Sequence, residues 1–402
     1  MGVQTKINTD KGRLLKASDY VHLHNHTHHS LLDGLTKIPS LIDKVKELGM
    51  EAVAITDHGT MSGTIEFYKS AKAADVKPII GMEAYVAARS RFDRDPQKDK
   101  ARYHLTILSM NKQGYDNLMR LSSAANLEGM YYKPRIDHEL LEQYNEGLII
   151  LSGCASGELG ENLRTDNYEE AKNIATWYKS VFGDRYYLEI QDHGHPEYPS
   201  PWDVQTKINN YIQQISEELD IPMVVTSDAH YLNHDDQEAH EILLCVGTGS
   251  FLSDEKRMSL KDFELHVTDP ADMIERWGKT NPDAIRRSRE IADRCNVELE
   301  LGGILIPTFP TPDGHTEKSY LDQLVYRGLA WRYGDVTQEE AAKLTIEDAK
   351  KHTPKVALDR AEYELGVIDR MGFNGYFLIV QDFINWGKNR GIVFGPGRGS
   401  AA

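Results

Sequence analysis

Over the first 230 residues, short apolar runs alternate with longer stretches whose apolar residues recur every three or four positions, and few folds accommodate that rhythm. The runs are 21–25, 52–56, 78–86, 105–109, 147–151, 186–190 and 223–226, and the helix-period stretches between them are 39–48, 65–74, 115–125, 168–182 and 204–219. A β-α-β-α rhythm, with no long antiparallel block, predicts parallel strands with helices packed outside them. Seven strands predict an α/β fold of the TIM-like kind, a distorted seven-stranded β/α barrel, with an open doubly wound sheet as the alternative. Beyond about Gly303 the texture changes. The stretch 304–314 holds Pro307, Pro310 and Pro312, and helical patterns follow at 320–333, 356–370 and 377–389. The turn Gly395-Pro-Gly-Arg-Gly-Ser400 comes last, with no room for an element after it. The expected organisation is an N-terminal extension over 1–18, the barrel over 19–285, and a mainly helical α+β segment over 286–402 that looks incomplete.

Residues with metal-ligand chemistry fall at the ends of these strands. In a strand, positions i and i+2 face the same way, so His24 and His26 can converge on one ion. An isolated pair of this kind is more often a surface or hydrogen-bonded pair. The second strand, however, ends in Thr56-Asp57-His58, the third runs into Glu83, the fifth into Cys154, and the seventh ends in Ser227-Asp228-Ala229-His230. In a β/α barrel all C-terminal strand ends open onto one face, so these distant residues would line a single mouth. Asp33, just after the first strand, and His104, at the edge of the fourth, complete the set. His104 fits least well, because it precedes its apolar run.

Imidazole, carboxylate and a lone thiolate together suit Zn²⁺, Mn²⁺ or Fe²⁺. Nine such residues are too many for one ion, and two or three divalent ions sharing a carboxylate would activate water and hold both oxygens of a phosphoester under cleavage. Asp57 is either a ligand or the partner that orients His58. Glu189, at the end of the sixth strand, is expected behind the ligands. Of His28 and His29 at most one can face the centre, because adjacent strand residues point to opposite sides. His193 and His195 follow in a polar loop and are expected at the surface. Tyr131, Tyr132, Lys133 and Arg135 put aromatic and basic groups into one loop, either to bind single-stranded nucleic acid or simply to tether the loop by salt bridges.

Composition bounds the rest. A net charge of −16 excludes broad electrostatic wrapping of nucleic acid, but bound cations would neutralise part of it. Of the 16 histidines, 11 lie at or before His230, which places the chemistry in the barrel. No run approaches the ~18 unbroken apolar residues of a membrane span, and the polar N-terminus lacks a secretory core, so a cytoplasmic protein is expected. The three cysteines agree: Cys154, Cys245 and Cys295 are odd in number and far apart, which suits a reducing compartment. Cys245 and Cys295 lie in apolar, helical contexts and are expected in the core.

The motifs His24-x-His26-Thr27-x-x-Ser30-x-x-Asp33-Gly34, Thr56-Asp57-His58, Gly81-x-Glu83, His104-Leu-Thr, Lys133-Pro-Arg-Ile-Asp137, Cys154 and Asp228-x-His230-Tyr231 resemble the PHP (polymerase and histidinol phosphatase) domain. More narrowly, they are similar to the α-subunit family of bacterial C-family replicative DNA polymerases. Glu364-x-x-Val367-Ile-x-x-Met371-Gly-Phe-x-Gly375-Tyr-Phe-Leu-Ile379 and the turn at 395–400 resemble the start of that family's palm.

The resemblance implies a seven-stranded barrel whose metal ligands are His24, His26, Asp33, His58, Glu83, His104, Cys154, Asp228 and His230. It implies a 3′-5′ exonuclease in which His24, Glu83, Asp228 and His230 are catalytic, acting on single-stranded or frayed 3′ ends of DNA. Gly399 and Ser400 would bind a triphosphate, Mg²⁺ would serve the complete polymerase, and the sliding clamp and other replisome subunits would bind regions absent here. The palm's catalytic aspartates are expected beyond Ala402, so an N-terminal portion without polymerase activity of its own is anticipated. A structural, metal-stabilised domain without hydrolysis and a phosphatase of the histidinol-phosphate type are the rival readings.

Overall fold

A computed structural model describes residues 14–194, 199–303, 305–395 and 397. Gly399 and Ser400, the expected triphosphate turn, and His195 lie outside the described residues. The chain divides into two compact units between Leu299 and Glu300.

In the first unit the alternating pattern becomes β1 (Ala52–Ile55), β2 (Lys77–Ala87), β3 (Arg102–Ser109), β4 (Met130–Tyr131), β5 (Lys133–Ile136), β6 (Leu148–Leu151), β7 (Tyr186–Gln191) and β8 (Met223–Thr226). The helices are α1 (Ile38–Glu47), α2 (Thr64–Ala73), α3 (Lys112–Leu127), α4 (His138–Gln143), α5 (Glu158–Arg164), α6 (Tyr168–Phe182), α7 (Pro199–Leu219), α8 (Gln237–Thr248), α9 (Pro270–Trp277) and α10 (Pro282–Arg294). Each long helix buries one stripe. In α1, Pro39 sits in the first turn, where its missing N–H costs nothing, and Ile38, Leu41, Ile42 and Val45 point inward. The strands β1, β6 and β7 are buried along their whole length, as expected of strands covered on both faces.

The strands form one mixed sheet in the order β4-β5-β2-β3-β6-β7-β8, with β1 parallel to β2. The expected first strand, 21–25, is extended but not a regular strand. Its His22 and Asn25 carbonyls accept from Ala54 in β1 and from Thr56 just after it, while the His26 N–H donates to the Ala229 carbonyl beyond β8. This segment joins the two ends of the sheet, so the curled sheet closes on seven staves: β1, β2, β3, β6, β7, β8 and the segment itself.

The expectation of uniformly parallel strands fails at β3, which runs antiparallel to β2 and to β6. The cause lies in the connection before it. Residues 88–101 form an irregular loop with no crossover helix, and without one β3 pairs back on β2 in the opposite direction. The hairpin β4–β5 was not anticipated; it hangs from β2 through Tyr85 and Val86. The sequence-based boundary at 285/286 also falls inside an element, since α10 spans it and Ile291, Ala292 and Cys295 pack into the core with Val21, Leu23 and Val224.

The described part of the second unit is helical only: α11 (Glu317–Tyr333), α12 (Gln338–Ala341), α13 (Ile346–Lys351), α14 (Lys355–Arg370) and α15 (Asn374–Lys388). Its own small core gathers Leu321, Tyr326, Ala330, Ala349, Leu365 and Leu378. No described helix of either unit is long and apolar enough to cross a membrane.

Candidate metal centre

All nine residues singled out as ligands meet at one rim of the barrel. Three sets of side chains place their ligand atoms within 4.8 Å of one another: His24, His26 and Asp228; His26, His58 and His230; His58, Glu83 and His104. His26 and His58 are shared between sets, so the three groups adjoin. Asp33 joins through Oδ2, 2.8 Å from His58 Nε2 and 3.8 Å from His230 Nε2, and the Cys154 Sγ lies 3.5 Å from His104 Nδ1. The His26 ring is stacked between those of His58 and His230, with centroids 4.1 and 4.2 Å away.

The antiparallel course of β3 explains why His104 precedes its apolar run. A strand running the other way presents its N-terminal end at the rim where parallel neighbours present their C-terminal ends. His104 thereby lies opposite Tyr85, and Thr106 opposite Glu83, and in each pair the side chains share a face. Two close backbone approaches shape the rim. A Cβ on Gly34 would stand 2.0 Å from the Thr27 carbonyl oxygen, and one on Gly153 would stand 2.5 Å from that of His104. Gly153 also adopts φ +85°, in the left-handed region. Asp228 adopts φ 51° without being glycine, a strain that accompanies the aiming of its carboxylate inward.

The nitrogens turned away from the centre are committed. His24 Nδ1 donates to Glu189 at 2.7 Å, His26 Nδ1 meets Ser30 Oγ at 3.0 Å, and His230 Nδ1 donates to the Asp228 carbonyl at 2.7 Å. Glu189 is therefore the expected outer partner, and it also accepts from the Gly153 N–H. Asp57 does not face the centre. Its carboxylate accepts from the Thr27 N–H, the Thr27 hydroxyl and the Ser30 hydroxyl, so it fixes the loop that carries His26 rather than orienting His58. His240, which no local motif distinguishes, lies with Nε2 2.9 Å from the Asp33 carbonyl oxygen.

The inward-facing atoms have no hydrogen-bonding partner: His24 Nε2, His26 Nε2, His58 Nδ1, both Glu83 oxygens, Asp33 Oδ1 and Asp228 Oδ1 are all buried in this state. Several nonetheless lie close together, as His24 Nε2 does at 3.3 Å from Glu83 and 3.2 Å from Asp228. Buried polar groups normally pair, and orphaned donors and acceptors aimed at one another's space are the arrangement of ligands around cations. On this ground the residues fit divalent metal ions.

The electrostatics agree. Burial alone would raise the pKa of Glu83, yet His104, His58 and His24 hold it well below the carboxylate range, and Asp228 is lowered against burial by His24 and His230. His58, which burial would lower, is raised to about 10 chiefly by Glu83 and Asp33. His26 goes the other way, down to about 3, through burial and the neighbouring His58 and His230. Burial, with Glu83 and Asp228 adding to it, pushes the Cys154 thiol up.

Other expected site residues are placed differently. Arg135 is fully buried, donating to the carbonyls of Gly129, Arg91 and Asp93, so it anchors the 88–101 loop and is not available to nucleic acid. Tyr131 is half-buried beside that guanidinium, whereas Tyr132 and Lys133 are exposed. His28 and His29 stay outside the centre, where they group with Glu66. His193, expected at the surface, is half-buried. Both its ring nitrogens are shielded and unpartnered, beside a cavity of about 750 Å³ that Gln191 and Asp192 also line.

The barrel that carries this rim is a PHP domain, since the PHP domain profile matches residues 22–193. Residues 319–402 match the profile described as bacterial DNA polymerase III alpha NTPase domain. The chain belongs to the family of bacterial DNA polymerase III α subunits. It is 41% identical to the DNA polymerase III subunit alpha of Thermus aquaticus, across 95% of this chain and 35% of that one. It is 43% identical to that of Treponema pallidum, across 95% and 31%, and 40% identical to that of Borreliella burgdorferi, across 96% and 32%. The chain thus spans about a third of the length of these relatives. Among solved structures, an amidohydrolase from Chromobacterium violaceum aligns over 52% of this chain and 87% of its own at 13% identity, with a TM-score of 0.35, too distant a likeness to argue from.

Proposed function

We propose that the barrel is a metal-dependent phosphodiesterase that removes nucleotides from single-stranded or frayed 3′ ends of DNA, serving as a proofreading 3′-5′ exonuclease within a replicative polymerase. It would work in the cytoplasm beside a palm that uses Mg²⁺ and partners such as the sliding clamp. The observation that carries the reading is the convergence of unpartnered, buried nitrogens and oxygens from six residues spread over 24–228, His24, His26, Asp33, His58, Glu83 and Asp228, with His104 and His230 grouped beside them. His24, His26, Asp33, His58, Glu83, His104, Cys154, Asp228 and His230 would hold two or three ions, with zinc, manganese or iron favoured by the mixture of imidazole, carboxylate and thiol. Bound divalent cations polarise water and neutralise the charge that builds on the leaving oxygen.

The chain's own groups supply placement. Glu83 reaches both His58 and His24 with its two carboxylate oxygens, and Asp228, from a left-handed backbone, aims Oδ1 at His24 and His26. His24 and His230 are fixed by Glu189 and the Asp228 carbonyl, so their inward nitrogens keep one orientation. In the reaction a water oxygen bonds to phosphorus as the bond from phosphorus to the 3′ oxygen breaks. The shortened strand keeps a 3′ hydroxyl, and a nucleoside 5′-monophosphate departs.

The test is nucleotide release from a 5′-labelled single strand by protein with a full metal complement. Release is expected from the wild type and a loss of at least about 100-fold in His24→Ala and Asp228→Ala, on the scale of a lost catalytic group. A metal-loaded wild type that releases nothing, or variants as active as it is, overturns the proposal. A structural role has one observation in its favour, because His24, His26 and Glu83 are at most 1% exposed, where cations would stabilise the barrel without turnover. Chelation would then lower thermal stability while no hydrolysis is found at any metal loading.

A further inference from the structure

Beside the metal centre lies an open cleft of about 520 Å³, lined by Lys100, Arg102, His104 and Glu161 among others. His104 belongs both to this cleft and to the centre, so the cleft opens onto the ligands. Arg102 precedes His104 by two on β3 and therefore shares its face. Its guanidinium lies 5.9 Å from the centre of the Tyr132 ring. Tyr132 is the single residue between β4 and β5, 74% exposed, and held at φ 62°, which a bulky side chain rarely adopts. The next residue, Lys133, sits with its ammonium 5.5 Å over the ring of Tyr85, and that ring lies against His58 and His104. A continuous path of rings and cations thus runs from the hairpin tip to the ligands.

The charges on this path are unopposed. Among the described residues Lys100, Arg102 and Lys133 form no ion pair, although the chain carries a net charge of −16. The acidic residues flanking them are occupied: Asp99 by Arg89, Glu128 by Arg91 and Glu161 by Arg164. Exposed rings interleaved with free cations are the means by which proteins hold single strands, the bases stacking and the phosphates meeting the cations.

We propose that Tyr132, Arg102 and Lys133 form a stacking platform for single-stranded DNA, and that Lys100 and Arg102 lead its 3′ end along the cleft to the metal centre. The proposal rests on the phosphodiesterase reading and names the route of its substrate. It replaces the buried Arg135 by Arg102 in the expected contact set, and assigns the strained backbone of Tyr132 to display of its ring.

The experiment measures binding of a fluorescein-labelled oligothymidylate to the full chain across a series of salt concentrations, with metal content and melting temperature confirming the fold of each variant. Tyr132→Ala is expected to weaken binding about tenfold with the salt slope unchanged, and Tyr132→Trp to restore it. Arg102→Ala and Lys133→Ala should each lower the slope of log affinity against log salt by about 0.7, whereas Lys69→Ala, which removes an exposed cation on α2, leaves affinity and slope as they were. If the platform variants bind like Lys69→Ala, or the wild type does not bind the oligonucleotide at low salt, the platform is wrong. In parallel, hydrolysis of the p-nitrophenyl ester of thymidine 5′-monophosphate reports the centre without a polynucleotide. Turnover with unaffected binding overturns the platform alone, and platform-dependent binding without turnover overturns the phosphodiesterase reading alone.

Discussion

Single side chains decide whether the centre can be built, and the decisive ones are not all ligands. Asp57 accepts three hydrogen bonds from Thr27 and Ser30 with no contact to the space between the ligands. Asp57→Ala should therefore weaken metal affinity about 10–100-fold, the usual effect of removing an outer partner, and destabilise the barrel by about 3 kcal/mol, checked by metal titration and urea unfolding. Glu189→Ala should act likewise through His24. Far from the centre, burial pushes the Cys295 thiol from its ordinary 9.0 up to about 12. A folded pKa above the unfolded one means stability that is complete below pH 9 and lost as pH rises through 12. The loss reaches about 4 kcal/mol at the upper limit. Tyr178 and Tyr186, raised by the same burial, steepen the decline. Urea midpoints at pH 8 and pH 11 should differ accordingly, and by less in Cys295→Ala.

At the scale of elements, β3 does the most. By reversing direction it brings His104 to the rim and leaves Arg102 just outside it, and α3, which follows, covers it. The start of α3 is set by Asn111, whose side chain accepts from the Gly114 N–H at 3.0 Å, while the same Gly114 approaches Gly147 so closely that a Cβ would stand 1.9 Å from its carbonyl oxygen. Loss of the cap in Asn111→Ala should cost about 1 kcal/mol with metal content unchanged, whereas Gly114→Ala must displace backbone and should cost more than a cap, by urea unfolding of each. Several striped helices were legible in the chain, although α8, α9 and α10 were not among the expected ones. The expected 168–182 coincides with α6, and 39–48 lies within one residue of α1. The short elements α4 and α5 and the hairpin β4–β5 were not, because two to seven residues carry too little periodicity to separate from loop.

On the scale of the whole chain, the two units have separate cores and the ligands all belong to the first. Residues 14–299 expressed alone should hold the same metal stoichiometry as the full chain, and chelation should lower their melting midpoint by about 5–10 °C. The sequence by itself determined which residues carry metal-ligand chemistry and that they would share one rim, because side-chain type and strand-end position are local properties. Tertiary structure alone decided the direction of β3, the fate of Arg135 and the shielding of His193. Those outcomes depend on which strand finds which partner and on what the loop at 88–101 must bury, and both are contacts between residues distant in the chain.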